Sequence, residues 1–371
     1  METPLIQAIG FTAPIVCAVV CIFLLIIHLD AGQVKEQPKR ILHYLLIGTY
    51  FVASLGWFGL VLYVTDLKAF EYYRPVFLLT LMLDQVMLYR FVSIITATER
   101  KPRFNPLHYL LPALLTLVWF AVPALLPTEY PIPKPYRPPF DTIWQHKDYV
   151  GMSFVFIVYN SLYPVLCLLR IRTYRRKVVD YSADSQRTSL HWLSVMIVLI
   201  LITVPLPLAA LLVHINILSL HYLAWVGPFP TIIVYLILCY NLLSDNYVII
   251  EPVKQEEEAE TTGNTLNKKR FERYICEKRP YLNPKLRITD MAADLHTNRS
   301  YLSAFINREY QMNFSRYINL CRLQELDSLR TSRHGNTYTN LEMILLAGFS
   351  DYRSYTRTKA EEDKNRLLKV F

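Results

Sequence analysis

Apolar residues fall in seven long runs over the first two thirds of the chain, separated by short polar stretches, and near residue 244 this pattern gives way to dense charge and short helical periods. The runs 5–29, 41–64, 75–97, 107–127, 150–169, 192–213 and 222–243 each offer about 20 or more mainly apolar residues. That is the length a helix needs to cross the hydrocarbon layer, where backbone amides find no water and must bond within the segment. Seven transmembrane helices are predicted. The first run follows Met1-Glu2-Thr3-Pro4 without a basic leader and is too long for a signal-peptide core, so it reads as a retained helix.

Basic residues orient these helices. Alternate connections hold Lys35, Lys39 and Arg40, then Arg100, Lys101 and Arg103, then Arg170, Arg172, Arg175, Arg176, Lys177 and Arg187. The other connections hold only Lys68, Arg74, Lys134, Arg137 and Lys147. Cytoplasmic connections retain Lys and Arg, so twelve against five predicts an N-terminus outside and a C-terminal tail inside.

Composition supports the membrane reading, since 53% hydrophobic and 13% aromatic residues exceed what an ordinary soluble domain carries. Of six cysteines, Cys17, Cys21, Cys167 and Cys239 lie in apolar runs and Cys276 and Cys321 in the tail; none lies in an outer connection, so no disulfide framework is implied. The sequence contains no H-E-x-x-H, G-x-S-x-G, Walker loop or G-x-G-x-x-G, and no catalytic residue, cofactor or metal is expected. His214 and His221, seven apart with no Cys, Asp or Glu between them, are too sparse for a metal site.

Two membrane features carry candidate chemistry. Asp84, in the middle of the third run, is the one carboxylate placed in hydrocarbon and must face a polar interior, either as a ligand or ion site of the sensor or as a hydrogen bond to a neighbouring helix. Arg90 lies about 240° round the helix from it, a poor partner better suited to snorkel to the inner surface. The outer connection 128–149, rich in Pro, Tyr and Trp, reads as a semi-ordered spacer with its rings at the lipid interface, or as a ligand cap.

Residues 244–267 lose the apolar runs, carry Glu256, Glu257, Glu258 and Glu260, and read as a flexible acidic linker spanning on the order of 25–30 Å. From residue 268 to 371 there are 20 Lys and Arg against 12 Asp and Glu, about +8, which suits a polyanion or a lipid surface. Ile288, Met291, Ala292 and Leu295 share one helical face. After His296-Thr297, Asn298 is placed to cap a second helix with Leu302, Phe305 and Ile306 inward and Arg299, Ser300, Ser303 and Asn307 outward. Two short amphipathic helices joined by a tight turn are a helix-turn-helix, and those outward side chains are of the kind that reach base edges in a major groove. A third helix follows from Phe314, capped by Asn313, with Tyr317, Ile318 and Cys321 on its buried stripe.

The run Leu286-Arg-Ile-Thr-Asp-Met-Ala-Ala-Asp-Leu295, then Tyr301-Leu-Ser303, then Asn313-Phe314-x-x-Tyr317-Ile-Asn319-x-x-Arg322, resembles the DNA-binding domain of the AraC family of transcription regulators. That resemblance implies two helix-turn-helix units joined by a long helix. The second would span Leu341 to Phe349, with Gly348-Phe349-Ser350-Asp351 as its turn and Tyr352, Arg353, Thr356 and Arg357 facing DNA. The chain departs from the family at Ala304, Ile344 and Lys359, and the closing Gly-x-x-Pro is absent, which rests DNA contact mainly on the first unit. The resemblance covers the last hundred residues and none of the membrane half.

The expected fold is therefore all-α: a polytopic helical membrane bundle (1–243), a linker (244–267) and an all-α double helix-turn-helix domain (268–371). The expected function is a one-component transcription regulator in a bacterial inner membrane, its membrane half sensing a small molecule or membrane state and its tail binding double-stranded operator DNA, with membrane lipid as the other partner and a homodimer left open. The alternative is a membrane receptor or transporter whose tail docks a protein partner.

Overall fold

The computed structural model describes residues 2–34, 36–97, 104–125, 147–203, 227–250, 266–331 and 338–368. The protein is all-α; among the described residues the one extended pairing is an isolated antiparallel bridge between Ser182 and Arg287. The chain divides into two units, the first comprising residues 1–96, 102–171 and 191–245, the second built mainly from Arg172–Leu190 and Asn246–Phe371.

The first unit contains α1 (Glu2–Asp30), α2 (Gln37–Thr65), α3 (Leu67–Ile95), α4 (Leu107–Leu125), most of α5 (Lys147–Val178), α6 (His191–Thr203) and α7 (Pro228–Leu243). Among the described residues four helices are long and apolar enough to cross a membrane: Leu5–Asp30, Gln37–Thr65, Leu67–Ile95 and Phe154–Val178. The apolar helices Leu107–Ala121, Arg187–Thr203 and Pro228–Leu243 are shorter; they correspond to the predicted fourth, sixth and seventh spans, each of which reaches into residues outside the described ones. Most of the proline-rich connection, His214 and His221 also lie outside them. The outward faces are greasy: Leu5, Ile9, Val16, Phe23 and Ile27 on α1 and Leu110, Leu114 and Leu117 on α4 are exposed. Apolar surface of that extent is costly in water and suited to hydrocarbon.

Helices α1, α2 and α3 pack in succession, and α1 also lies along α7. The α2–α3 seam is tight because Gly59 sits on it; a Cβ there would come within 2.5 Å of the Phe77 ring. Small residues let helices approach where lipid supplies no hydrophobic drive between them. Tyr73 then donates to the Leu55 carbonyl at 2.9 Å and Tyr50 to the Tyr235 carbonyl at 2.7 Å, while Lys39 and Asp245 pair at 2.9 Å.

The second unit holds α8 (Lys268–Lys278), α9 (Ile288–Asp294), α10 (Arg299–Tyr310), α11 (Phe314–Thr331), α12 (Asn340–Leu346) and α13 (Tyr352–Leu368). The predicted apolar faces are the buried ones: Ile288, Met291, Ala292, Leu295, Leu302, Phe305 and Ile306 all point inward, with Phe271 and Phe314. Leu326, Met343, Ile344, Ala347, Phe349 and Tyr355 form a second cluster. An Arg316–Glu362 pair, bonded at 2.7 and 3.0 Å, ties α11 to α13. The stretch predicted as a solvated linker is packed at both described ends. Tyr247, Val248 and Ile250 are buried, Tyr174 donates to the Val248 carbonyl at 2.6 Å, and Leu266 is buried just ahead of Asn267, which caps α8. Three apolar side chains outweigh the polarity of their neighbours there.

Burial pushes the Cys321 thiol up to about 11, whereas Cys276 is exposed. Because the thiolate is the nucleophile, a maleimide at neutral pH is expected to modify Cys276 and spare Cys321 in the folded chain. Equal labelling of the two peptides by mass spectrometry would show that α11 does not bury this stripe.

Candidate nucleic-acid interface

The same local construction occurs twice in the second unit. Helix α9 ends at His296, whose φ is +53°, and the Thr297 N–H bonds back to the Ala292 carbonyl at 2.9 Å. Asn298 then accepts from the Tyr301 N–H at 2.7 Å and starts α10. Helix α12 is closed two residues past its last turn by Gly348, φ +92°, and the Phe349 N–H bonds back to the Ile344 carbonyl at 3.3 Å. Asp351 then accepts from the Ser354 N–H at 2.7 Å and starts α13. A left-handed residue that closes one helix, followed by a side-chain cap that opens the next, fixes a sharp reversal in each case. Thr339 and Glu342 cap α12 reciprocally, and the Thr339 hydroxyl and N–H hold the Glu342 carboxyl below its usual range.

The outward residues differ between the repeats. On α13, Tyr352, Arg353, Thr356 and Arg357 are all exposed, and Arg357 lies 3.6 Å from Glu361. On α10, Ser300 and Asn307 are exposed and Ser303 is half-buried. Arg299 departs from expectation. Its guanidinium is half-buried, 5.0 Å over the ring of Tyr181 and beside Asp180. Burial lowers its pKa, an effect that Tyr181 and Asp180 partly offset; burial raises Asp180 in turn, offset by Arg299.

Tyr181 belongs to the connection between α5 and α6, which sequence reasoning treated as a charged loop. It is stitched into this unit. Ile288 N–H donates to the Tyr181 carbonyl at 2.9 Å, Ala183 N–H to the Leu286 carbonyl at 3.3 Å and Ser315 N–H to the Val179 carbonyl at 2.9 Å. Tyr181, Ser182, Ala183 and Asp184 are all buried. The fastening is completed by Arg322 of α11, only 1% exposed, which donates to the carbonyls of Tyr281 (2.8 Å), Asn283 (2.8 Å) and Ala183 (3.1 Å) and to Asn319 Oδ1 (3.0 Å). Burial pushes this guanidinium down to about 10, with Asp184 opposing, so it stays charged at neutral pH.

In the first unit, Asp84 is half-buried on α3 and lies near Tyr235 of α7. Arg90 stacks instead on Phe104 and Tyr109, at 5.3 and 5.8 Å. Among the described residues no group of three or more His, Cys, Asp or Glu is placed to hold a metal ion.

No protein-family model, curated protein or solved structure matches the chain.

Proposed function

We propose that this chain is a membrane-bound, one-component transcription regulator of the bacterial inner membrane. Seven spans, with the N-terminus outside, sense a small molecule or membrane state, and the cytoplasmic unit is a double helix-turn-helix of the AraC type that binds double-stranded operator DNA. The observation that carries the reading is the repeated construction: short helix, left-handed closure, side-chain cap, second helix with polar and cationic side chains outward. An excess of 20 basic over 12 acidic residues in 268–371 suits the phosphate backbone. Signalling through a homodimer fits this arrangement, because two tethered units on adjacent half-sites gain effective concentration without new contacts.

The test is selection of duplexes from a random library by the full-length chain in lipid nanodiscs at physiological salt. The full chain is needed because residues 268–371 alone lack Tyr181 and Ala183. Enrichment of a discrete motif is expected. Arg299→Ala should weaken binding to the selected duplex by about 1–3 kcal/mol, roughly 5- to 150-fold; unchanged affinity would remove Arg299 from base reading.

One observation favours a second reading, a receptor or transporter that docks a protein. Leu341, Leu345 and Leu346 are exposed together on α12. Binding that holds up as salt is raised would favour it, since phosphate contacts weaken steeply with salt and apolar contacts do not.

A further inference from the structure

We infer that the connection Val179–Asp184 is an autoinhibitory strap, holding Arg299 on Tyr181 and Asp180 so that the DNA-reading form of α10 requires the hold to be released. The inference rests on the DNA-binding reading above.

Three observations carry it. First, the strap is fastened at the openings of three helices: at Leu286 and Ile288 ahead of and in the first turn of α9, at Arg299 opening α10, and at Ser315 in the first turn of α11. In a helix-turn-helix the first turn of the second helix is the part that meets base edges, and here its leading cation is already stacked on an aromatic ring. A guanidinium reads guanine with its planar fork aligned to two acceptors in the groove, an alignment Arg299 reaches only by leaving Tyr181.

Second, Asp180 has one carboxylate oxygen buried without a hydrogen-bond partner. The backbone turn around it is fixed by Asp180 N–H bonding to the Lys177 carbonyl at 3.3 Å and Tyr181 N–H to the Val178 carbonyl at 2.9 Å. The effect of Asp180 on the site is a negative charge at the positive end of α10, where an approaching phosphate would otherwise be favoured. Replacing it with Asn removes that charge at little structural cost.

Third, the strap is continuous in the chain with α5 on one side and, through Ser185–Ser189, with α6 on the other. Val179–Asp184 is thus bonded through the backbone to both helices. The release step is thereby assigned to a part of the chain that joins two apolar helices, one of the backbone routes, with the connection after α7, by which a membrane signal can reach this unit.

The experiment uses full-length protein in nanodiscs and a fluorescein-labelled duplex selected by the wild-type chain. Asp180→Asn and Tyr181→Leu, the second keeping apolar bulk but removing the ring, are each expected to tighten binding by about 3- to 30-fold, and the gain is expected to vanish in an Arg299→Ala background. Hydrogen exchange at Ile288 and Ser315 checks that each variant keeps the strap folded. If the wild-type chain binds the duplex and neither variant binds tighter, the strap is scaffold only and the inference falls while the DNA reading stands. Tightening that persists without Arg299 overturns the assigned hold. If selection with the wild-type chain and with both variants enriches no duplex, the DNA reading fails and the strap with it.

Discussion

Arg322→Ala is expected to cost the second unit about 3–5 kcal/mol. The guanidinium is almost wholly buried and joins two segments distant in sequence, through the carbonyls of Tyr281 and Asn283 in one and of Ala183 in the other. Truncation takes the side-chain donor from the Tyr281 and Ala183 carbonyls, while Asn283 keeps the Leu286 N–H at 3.2 Å; each unmet buried acceptor costs about 1–3 kcal/mol. It also removes the cation facing Asp184 and the stack 5.9 Å over Phe349. Arg322→Lys should recover little, because one ammonium cannot span the diverging directions that a planar fork covers. Hydrogen exchange of the full-length chain reads the effect at the Ile288 and Ser315 amides, which are bonded to Tyr181 and Val179. Exchange there should quicken by roughly two to four decades. Less than a tenfold change in the alanine variant would mean that Arg322 does not fasten the unit.

That fastening separates what the sequence shows from what it hides. Periodicity and capping are local, so the inward face Ile288–Leu295, the Asn298 and Asn313 caps and the inward set Leu302, Phe305 and Ile306 are all legible in the sequence. Arg322 was visible only as a motif letter. Its partners are 41, 39 and 139 residues away, and no pattern along the chain couples them. The strap was hidden for a different reason: its apolar positions Val179, Tyr181 and Ala183 lie between Arg172, Arg175, Arg176 and Lys177 on one side and Arg187 on the other, so charge dominated the reading of 170–187. The acidic run after Lys254 masked Tyr247, Val248 and Ile250 in the same way. Length and hydropathy located the apolar helices, and four of the seven reach spanning length within the described residues. For Arg299, the residue type and its place at the head of α10 were legible, but its occupation by Tyr181 was not, since that contact joins positions 118 residues apart.

Gly348→Ala is the second large effect expected, and it tests how the two repeats are aligned. Gly348 has φ +92°, and a Cβ built there would lie 2.3 Å from the Tyr281 carbonyl oxygen and 2.8 Å from Leu282 Cα. Both are backbone atoms, so no rotamer change relieves the overlap; the turn must move away from Pro280–Leu282. The left-handed conformation costs about 1–2 kcal/mol for an L-residue, and the enforced shift of a packed turn about 1–3 kcal/mol more. Asn separates these two costs, since it tolerates positive φ better than Ala but carries the same Cβ. If the clash dominates, Gly348→Asn is as damaging as Gly348→Ala, with the Ala347 and Phe349 amides exchanging at least a hundredfold faster in both. Recovery by Asn would instead show that the backbone angle matters and that the close approach to Tyr281 does not. The first outcome has a functional corollary. Tyr281 O is also the acceptor of Arg322 Nε at 2.8 Å, so a single carbonyl is braced by the long helix α11 and abutted by the turn that opens α13. Moving that turn re-aims Arg353 and Arg357 relative to α10. Gly348→Ala is therefore expected to weaken binding to a selected duplex well beyond the loss from Arg353→Ala alone, although Gly348 carries no side chain to offer DNA.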